Sequence, residues 1–385
     1  MRILIIHQYY KTPKTGGAIR SYHIAKHLAA QGHEVEVITA YNDSGYFKEV
    51  LDNVTVHHLP IYYSNHLTFW SRIKAFVKYV WLSCRFIKSI EKPDLNYVIS
   101  TPLTTGIIAL YAKWRYKVPY IFEVGDLWPA APIQLGVIRN VLLKKLAYWL
   151  EKKVYNNAKS IIGLSPDIIK YIAQKTSTPT AVVTNFSDTA FFTPADTKTI
   201  MTDKFRIGYF GTVGLANRLE YLLDAAAACI NNDQIEFIVM GGGAQYDRIV
   251  DEAGRRSLSN IIFKKAADKD DVKIEMAKVE AVYVSFANAA VLSTGSPNKF
   301  FDGLAAGKLI ILNFGGWLKD EVEEAQCGFS YDPERPNEFL EKLNPFIEDQ
   351  GKLFQTQKNA VQLADNFSLD SQLLTLDKVI KKAGS

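Results

Sequence analysis

The chain has 385 residues, of which 48% are hydrophobic and 22% charged, with a formal net charge of +5 and three cysteines. At ~150 residues per domain this length indicates two domains, each long enough to bury a core. The composition excludes a disordered or fibrous protein, and Cys84, Cys229 and Cys327, odd in number and far apart, exclude a disulfide scaffold and a cysteine-based zinc site.

Short β-branched runs alternate with helical patterns from the first residues. Strand candidates in the first half are 2–7, 34–39, 54–59, 96–100, 120–124, 160–164 and 181–184. Several are apolar throughout, the pattern of strands covered by helices on both faces. The opening apolar run is four residues, too short for a signal-peptide core. The least charged stretch, 95–112, is broken by polar residues, Pro and Gly, so no membrane span is expected. The expectation is a cytoplasmic protein, soluble or peripheral.

The loop after the first strand, residues 11–20, carries Gly16 and Gly17. Paired glycines between a strand and a helix let a ligand approach the backbone, and the helix N-terminus favours an anion. A plain strand-to-helix turn reads the same way. Arg20, His23 and His27 recur at helical spacing on the helix that follows. No Glu follows His23 as the H-E-x-x-H pattern requires, so no metal site is read there.

Residues 70–88, WSRIKAFVKYVWLSCRFIK, interleave aromatic and basic side chains. Trp70, Ile73, Val77, Val80, Trp81, Cys84 and Ile87 can share one helical face flanked by Arg72, Lys74, Lys78, Arg85 and Lys88. This is the pattern of an interfacial helix, and equally of a domain helix with solvated lysines. Further on, Glu123 and Asp126 fall at the end of a buried strand, in Phe122-Glu123-Val124-Gly125-Asp126-Leu127-Trp128-Pro129. A carboxylate there can hold sugar hydroxyls or take a proton.

The alternation pauses at residues 188–203, which are read as the linker. The domains are therefore placed at 1–190 and 200–365. Strand candidates resume at 205–210, 236–240, 260–264, 281–286 and 309–313, and an amphipathic helix closes the chain at 369–383. The fold class is α/β, two doubly wound parallel-sheet, Rossmann-like domains facing a cleft. Charge divides between them. Residues 1–195 hold 23 Lys+Arg against 12 Asp+Glu, and the remainder 22 against 28. A basic first half indicates an anionic partner, a membrane surface or a phosphorylated substrate. No nucleic-acid motif is present.

In the second half, Gly208 to Gly214 places glycines at a strand end, with Gly211 and Thr212 central and Arg218 following. Gly241 and Gly242 end the next strand. The most specific segment runs from Ser293 to Lys308. Ser296 is a good N-cap and Pro297 suits a first helical position, so the first-turn N–H groups of Asn298 and Lys299 would favour a phosphate. Lys299 adds a cation for a diphosphate. Asp302, one turn on, is placed to accept from ribose hydroxyls. Neither domain shows G-x-G-x-x-G, which speaks against a nicotinamide dehydrogenase.

Taken together, these segments resemble glycosyltransferase family 4 of the GT-B fold over nearly the whole chain. The resemblance rests on the Gly16-Gly17 loop, Gly32-His33-Glu34-Val35, Asp126-Leu127-Trp128-Pro129, Asn185 with Asp188, Gly211, and Ser296-Pro297-Asn298-Lys299 running to Ala306-Gly307-Lys308. The Asp-Leu-Trp-Pro and Ser-Pro-x-Lys segments resemble a subgroup that builds O-antigen and capsule saccharides by amino-sugar transfer. The resemblance implies a retaining transferase with a nucleotide-diphosphate sugar donor, UDP-linked, no obligatory metal and no cofactor. It implies a lipid-linked saccharide acceptor on the first domain, at the inner face of the cytoplasmic membrane, and a last helix, 367–383, crossing back to that domain. Lys299, Asp126 and Arg218 would be catalytic. Gly16, Gly17, Gly211, Thr212, Asn217, Gly241, Gly242, Thr294, Ser296, Pro297, Asn298 and Asp302 would hold the donor, and Arg20, His23 and Trp128 the acceptor. The family's paired acids fall here on Thr294 and Asp302, and its Arg/Lys pair on Ala216 and Asn217. The readings set beside this one are a sugar-nucleotide epimerase of the same architecture and a non-catalytic nucleotide-sugar-binding partner in a glycan-assembly complex.

Overall fold

A computed structural model describes residues 1–13, 19–64, 67–194 and 204–384. By contacts the chain falls into two compact units, residues 1–184 with 372–385, and residues 185–371. The first unit contains, in chain order, β1 (Arg2–Ile6), α1 (Arg20–Ala30), β2 (Glu34–Tyr41), β3 (Phe47–Leu51), β4 (Val54–Pro60), α2 (Phe69–Ile87), β5 (Leu95–Ile99), α3 (Thr105–Tyr116), β6 (Tyr120–Val124), α4 (Ala130–Gln134), α5 (Val141–Asn157), β7 (Ser160–Gly163), α6 (Pro166–Ala173) and β8 (Thr180–Val182). Its eight strands among the described residues run in the order β3-β4-β2-β1-β5-β6-β7-β8. All are parallel except β3, which is antiparallel to β4. β5 and β6 are buried along their whole length, which is what LNYVI and YIFEV require of strands with helices on both faces.

The second unit contains β9 (Phe205–Thr212), α7 (Glu220–Ala228), β10 (Ile235–Gly242), α8 (Tyr246–Arg255), β11 (Ile261–Lys265), α9 (Lys269–Ala277), β12 (Ala281–Val284), α10 (Asn298–Ala305), β13 (Leu309–Leu312), α11 (Trp317–Glu324), β14 (Gly328–Ser330), α12 (Pro336–Glu348) and α13 (Gln350–Asn366). Its described strands form one parallel sheet in the order β11-β10-β9-β12-β13-β14. Apolar clusters cover both faces, one centred on Tyr209, Leu222 and Phe339, the other on Phe300, Phe301 and Trp317. The last helix, α14 (Leu369–Gly384), returns to the first unit. There Asp377 bonds His27 of α1 at 2.9 Å, and Gln372 accepts the Thr184 N–H at 2.9 Å.

The α/β class and the two doubly wound sheets agree with the sequence reading. Two strands were not anticipated. β3 exposes Lys48, Glu49 and Val50 and pairs with β4 alone, and β14 is three residues long. β9 and β10 also run further than their apolar cores, because Gly211 and Thr212 stay in register with Gly241 and Gly242. On α2 the expected single apolar face is divided. Ala75, Phe76, Tyr79, Ser83 and Ile87 are buried, while Trp70, Val77 and Trp81 point to solvent.

Both sheets reverse their strand order beside the first strand, at β1 and at β9. In open α/β sheets ligands bind at the C-terminal ends of strands at such points. In the first unit that edge is held by Arg20. Its guanidinium makes a two-pronged bond to Glu123 of β6, 3.0 Å on each side, and donates to the carbonyls of Val183 and Thr184. The Tyr97 hydroxyl donates to the same carboxylate. Arg20 and Glu123 are both buried. Removing one partner strands the other charge, so Arg20→Ala should cost about 3–5 kcal/mol, read as a lowered urea midpoint for the first unit.

Candidate functional site

In the second unit the chemistry gathers where β9 ends and α10 begins. Gly211 has φ +131, a conformation that side chains avoid, and a methyl placed there would lie 3.4 Å from Lys299 Cε and 3.6 Å from its Nζ. The Lys299 ammonium sits 3.8 Å from the centre of the Tyr209 ring. Among the described residues no carboxylate lies within ion-pair distance of it. Burial lowers its pKa to about 7. A cation this short of counter-charge, beside a glycine that leaves the backbone bare, is a place for an anion.

The surrounding loops are braced by polar contacts. Ser285, just past β12, donates its hydroxyl to the Asn217 carbonyl at 2.6 Å and accepts from Asn313 at 3.1 Å. Asn217 in turn donates to the Ser285 carbonyl at 3.4 Å. Beside them a hollow of about 370 Å³ opens at the C-terminal ends of β12, β13 and β14, lined by Ser293, Asn313, Phe314, Lys319 and Arg335 among others. Tyr209, Lys319 and Arg335 were not among the residues singled out from the sequence. An aromatic residue two before Gly211 was the available signal for Tyr209; the two cations lie on separate loops with no local motif.

The start of α10 departs from expectation. The helix begins at Asn298, Pro297 is the capping residue, and no side chain caps it. Ser296 is engaged elsewhere. Its hydroxyl accepts from the Asn185 N–H at 3.3 Å, and its carbonyl accepts from the Asn185 side chain. That leaves the first-turn N–H groups uncapped by a side chain, as a ligand-binding end requires. Thr294 donates to the Val291 carbonyl at 2.8 Å. Gly241 has a packing reason to be glycine, since a methyl there would fall 1.9 Å from the Gly211 carbonyl oxygen. Gly242 pairs with Thr212.

Asp302 and Arg218, also expected at this site, each have neighbours of their own. Asp302 lies near the Asp188–Lys269 ion pair, itself 2.9 Å long. Burial raises its pKa to about 7, with Lys269 opposing and Asp188 adding to the rise. Arg218, at φ +39, is exposed and lies 4.7 Å over the Tyr221 ring. Gly16 and Gly17 lie outside the described residues.

In the first unit, Asp126 follows β6 directly. Its side chain reaches solvent, yet the surrounding protein raises its pKa by desolvation. Its carbonyl accepts the Trp128 N–H at 2.8 Å, and the Trp128 ring meets Phe76 edge-on at 6.4 Å. His23, half-buried, packs edge-on against Tyr22. Arg20, expected at an acceptor, is spent inside the fold on Glu123 and two carbonyls, a correction that no local pattern foretold. His27 is likewise engaged with Asp377, and among the described residues no cluster of three or more metal-ligating side chains occurs.

The sequence matches the family model described as Glycosyl transferase 4-like domain over residues 15–185, and the model described as Glycosyl transferases group 1 over residues 195–363. No curated protein matches it. Among solved structures it is similar to sucrose-phosphate synthase from Thermosynechococcus elongatus, at 16% identity and a TM-score of 0.80, covering 99% of this chain and 98% of that one. It is similar to Anabaena HepE in complex with UDP-glucose, at 18% identity and 0.72, covering 99% of each. It is also similar to WaaG, a glycosyltransferase involved in lipopolysaccharide biosynthesis, at 16% identity and 0.70, covering 98% and 99%. At these identities the likeness is one of fold.

The half-buried ammonium generates a stability prediction. Its folded pKa of about 7 lies below the ordinary lysine value of 10.5. Between those values the unfolded chain holds more protons, so stability rises with pH across that window, and the penalty is full below about pH 7. Lys299→Met should therefore stabilise the protein by roughly 1–3 kcal/mol at neutral pH, an advantage that shrinks towards pH 10. Thermal unfolding of both proteins across that pH range checks it.

Proposed function

This chain belongs to the GT-B glycosyltransferases, and on that footing we propose that it transfers a hexose or N-acetylamino sugar from UDP to a lipid-linked saccharide, with retention at the anomeric carbon. The observation that carries the reading is Lys299, an ammonium without a carboxylate partner among the described residues, held against Gly211 at the uncapped start of α10. UDP is the first nucleotide to test because HepE, a neighbour in fold, binds it.

In this reading the second unit holds the donor. The Lys299 ammonium and the Asn298 and Lys299 N–H groups take the charge that develops on the diphosphate as the bond from the anomeric carbon to the β-phosphate oxygen breaks. The acceptor hydroxyl oxygen forms the new bond on the same face of the sugar. Its proton passes to the departing phosphate oxygen, so no strong enzymic base is needed. The hollow beside Asn313 and Phe314 receives the nucleoside. Asp302 contacts the ribose. The first unit receives the acceptor at Asp126 and Trp128, in surface-polysaccharide synthesis at the inner face of the cytoplasmic membrane.

Calorimetry with UDP-glucose and UDP-N-acetylglucosamine tests the donor site. A diphosphate raises the pKa of a Lys299 that starts near 7, so above pH 7 binding takes up a proton and affinity falls as pH rises to 9. Lys299→Ala should weaken binding roughly 10–100-fold and abolish the proton uptake. Absence of binding by any nucleotide sugar overturns the reading; binding unchanged in the variant removes Lys299 from it.

A further inference from the structure

We propose that the outer faces of α2, α3 and α5 form a docking surface for an anionic lipid bilayer. The proposal rests on the lipid-linked acceptor for its purpose and on exposed side chains for its evidence. Four of the chain's six tryptophans lie on these helices in solvent: Trp70 at 68% exposure, Trp81 at 58%, Trp114 at 57% and Trp149 at 56%. The helices are neighbours, α3 packing against both α2 and α5.

The first ten residues of α5 make the strongest case. The helix is set by Asn140, whose side chain accepts from the N–H groups of Leu142 and Leu143. From Val141 to Leu150 nothing is buried, and only Lys144 and Lys145 carry charge. Leu142 is 75% exposed and Leu146 is exposed beside it. The burial that anchors this helix comes later, at Val154 and Tyr155. An apolar helix end left in water costs free energy that monomeric proteins seldom leave unrecovered.

Charge identifies the partner. α2 and α3 contain no Asp or Glu. The single acid of α5, Glu151, is buried and paired with Lys175 at 2.5 Å. The cations stand over the exposed rings, Arg85 at 5.8 Å from Trp81 and Lys153 at 6.0 Å from Trp149. Tryptophan rings favour the headgroup level of a bilayer, leucines reach below it, and lysine stems leave their ammonium groups among anionic headgroups. Among the described residues no helix is long and apolar enough to cross a membrane, so the contact is one of lying on the surface.

The test is co-sedimentation of the full chain with phosphatidylcholine vesicles, with and without phosphatidylglycerol. The chain should bind the anionic vesicles, shift its tryptophan emission to the blue and be released by salt. Leu142→Glu with Leu146→Glu, and separately Lys145→Glu with Lys153→Glu, should each weaken binding roughly tenfold or more, while thermal unfolding and UDP-glucose binding stay unchanged. No binding at low salt, or equal binding by wild type and both variants, overturns the proposal. So does a dimer in solution that Leu142→Glu with Leu146→Glu dissociates, because the face would then be a contact between copies. A wild-type chain that binds UDP-glucose but no vesicles condemns this surface alone, and one that binds anionic vesicles but no nucleotide sugar condemns the transferase site alone.

Discussion

A half-buried ammonium group, with no carboxylate beside it among the described residues, is the point at which the strand ends of the second unit meet the start of α10. Partly withdrawing such a charge from water costs free energy, and here the face of Tyr209 supplies part of what is lost. Residue 211 is glycine for its φ of +131; a methyl there would meet the lysine side chain only in ordinary contact. With the Gly211 carbonyl turned towards β10, residue 241 must be glycine too. The loop after β9 is then tied to the ends of β12 and β13 through Asn217, Ser285 and Asn313. The two glycines at these strand ends and the uncapped start of α10 thus surround the one ammonium.

The first unit treats charge in the opposite way. Arg20 and Glu123, 103 residues apart in sequence, are buried as a matched pair and satisfy two carbonyls and a tyrosine hydroxyl as well. That network is complete, and so it is structural. On α2, α3 and α5 the basic groups lie on helix surfaces where acids are missing or, as with Glu151, turned inward. Electrostatic function and electrostatic support are separated by burial.

Much of this was legible in the sequence. Apolar runs such as Leu95 to Ile99 announce buried parallel strands, because their neighbours in space are always helices and the signal is local. Gly211 and Lys299 were legible because each sits in a short motif whose residue types are demanded by backbone shape or by phosphate. β3 was not, since its exposed Lys48 and Glu49 leave no alternation and its pairing is with β4 alone. Ser296 looked like a helix cap and is not one, because Asn185, 111 residues away, claims its oxygen. Arg20 failed for the same reason. A side chain's distant partner decides its role, and no spacing rule reports that partner. The division of α2 into a buried and an exposed aromatic face was hidden because hydrophobic period alone does not say which face the core takes.

The return of α14 has a consequence for synthesis. The first unit is discontinuous in sequence: Gln372 and Asp377 complete contacts to Thr184 and His27, and these residues are made only after the second unit. A chain emerging from the ribosome therefore presents the sheet of the first unit without α14 for as long as the whole second unit takes to be translated. The second unit is continuous and has all of its residues before α14 is finished, with the Ser187 N–H meeting the Phe367 carbonyl at 2.8 Å to close it. Order of synthesis and order of completion are thus reversed, and the unit that begins first is the one that must wait in a partly open state.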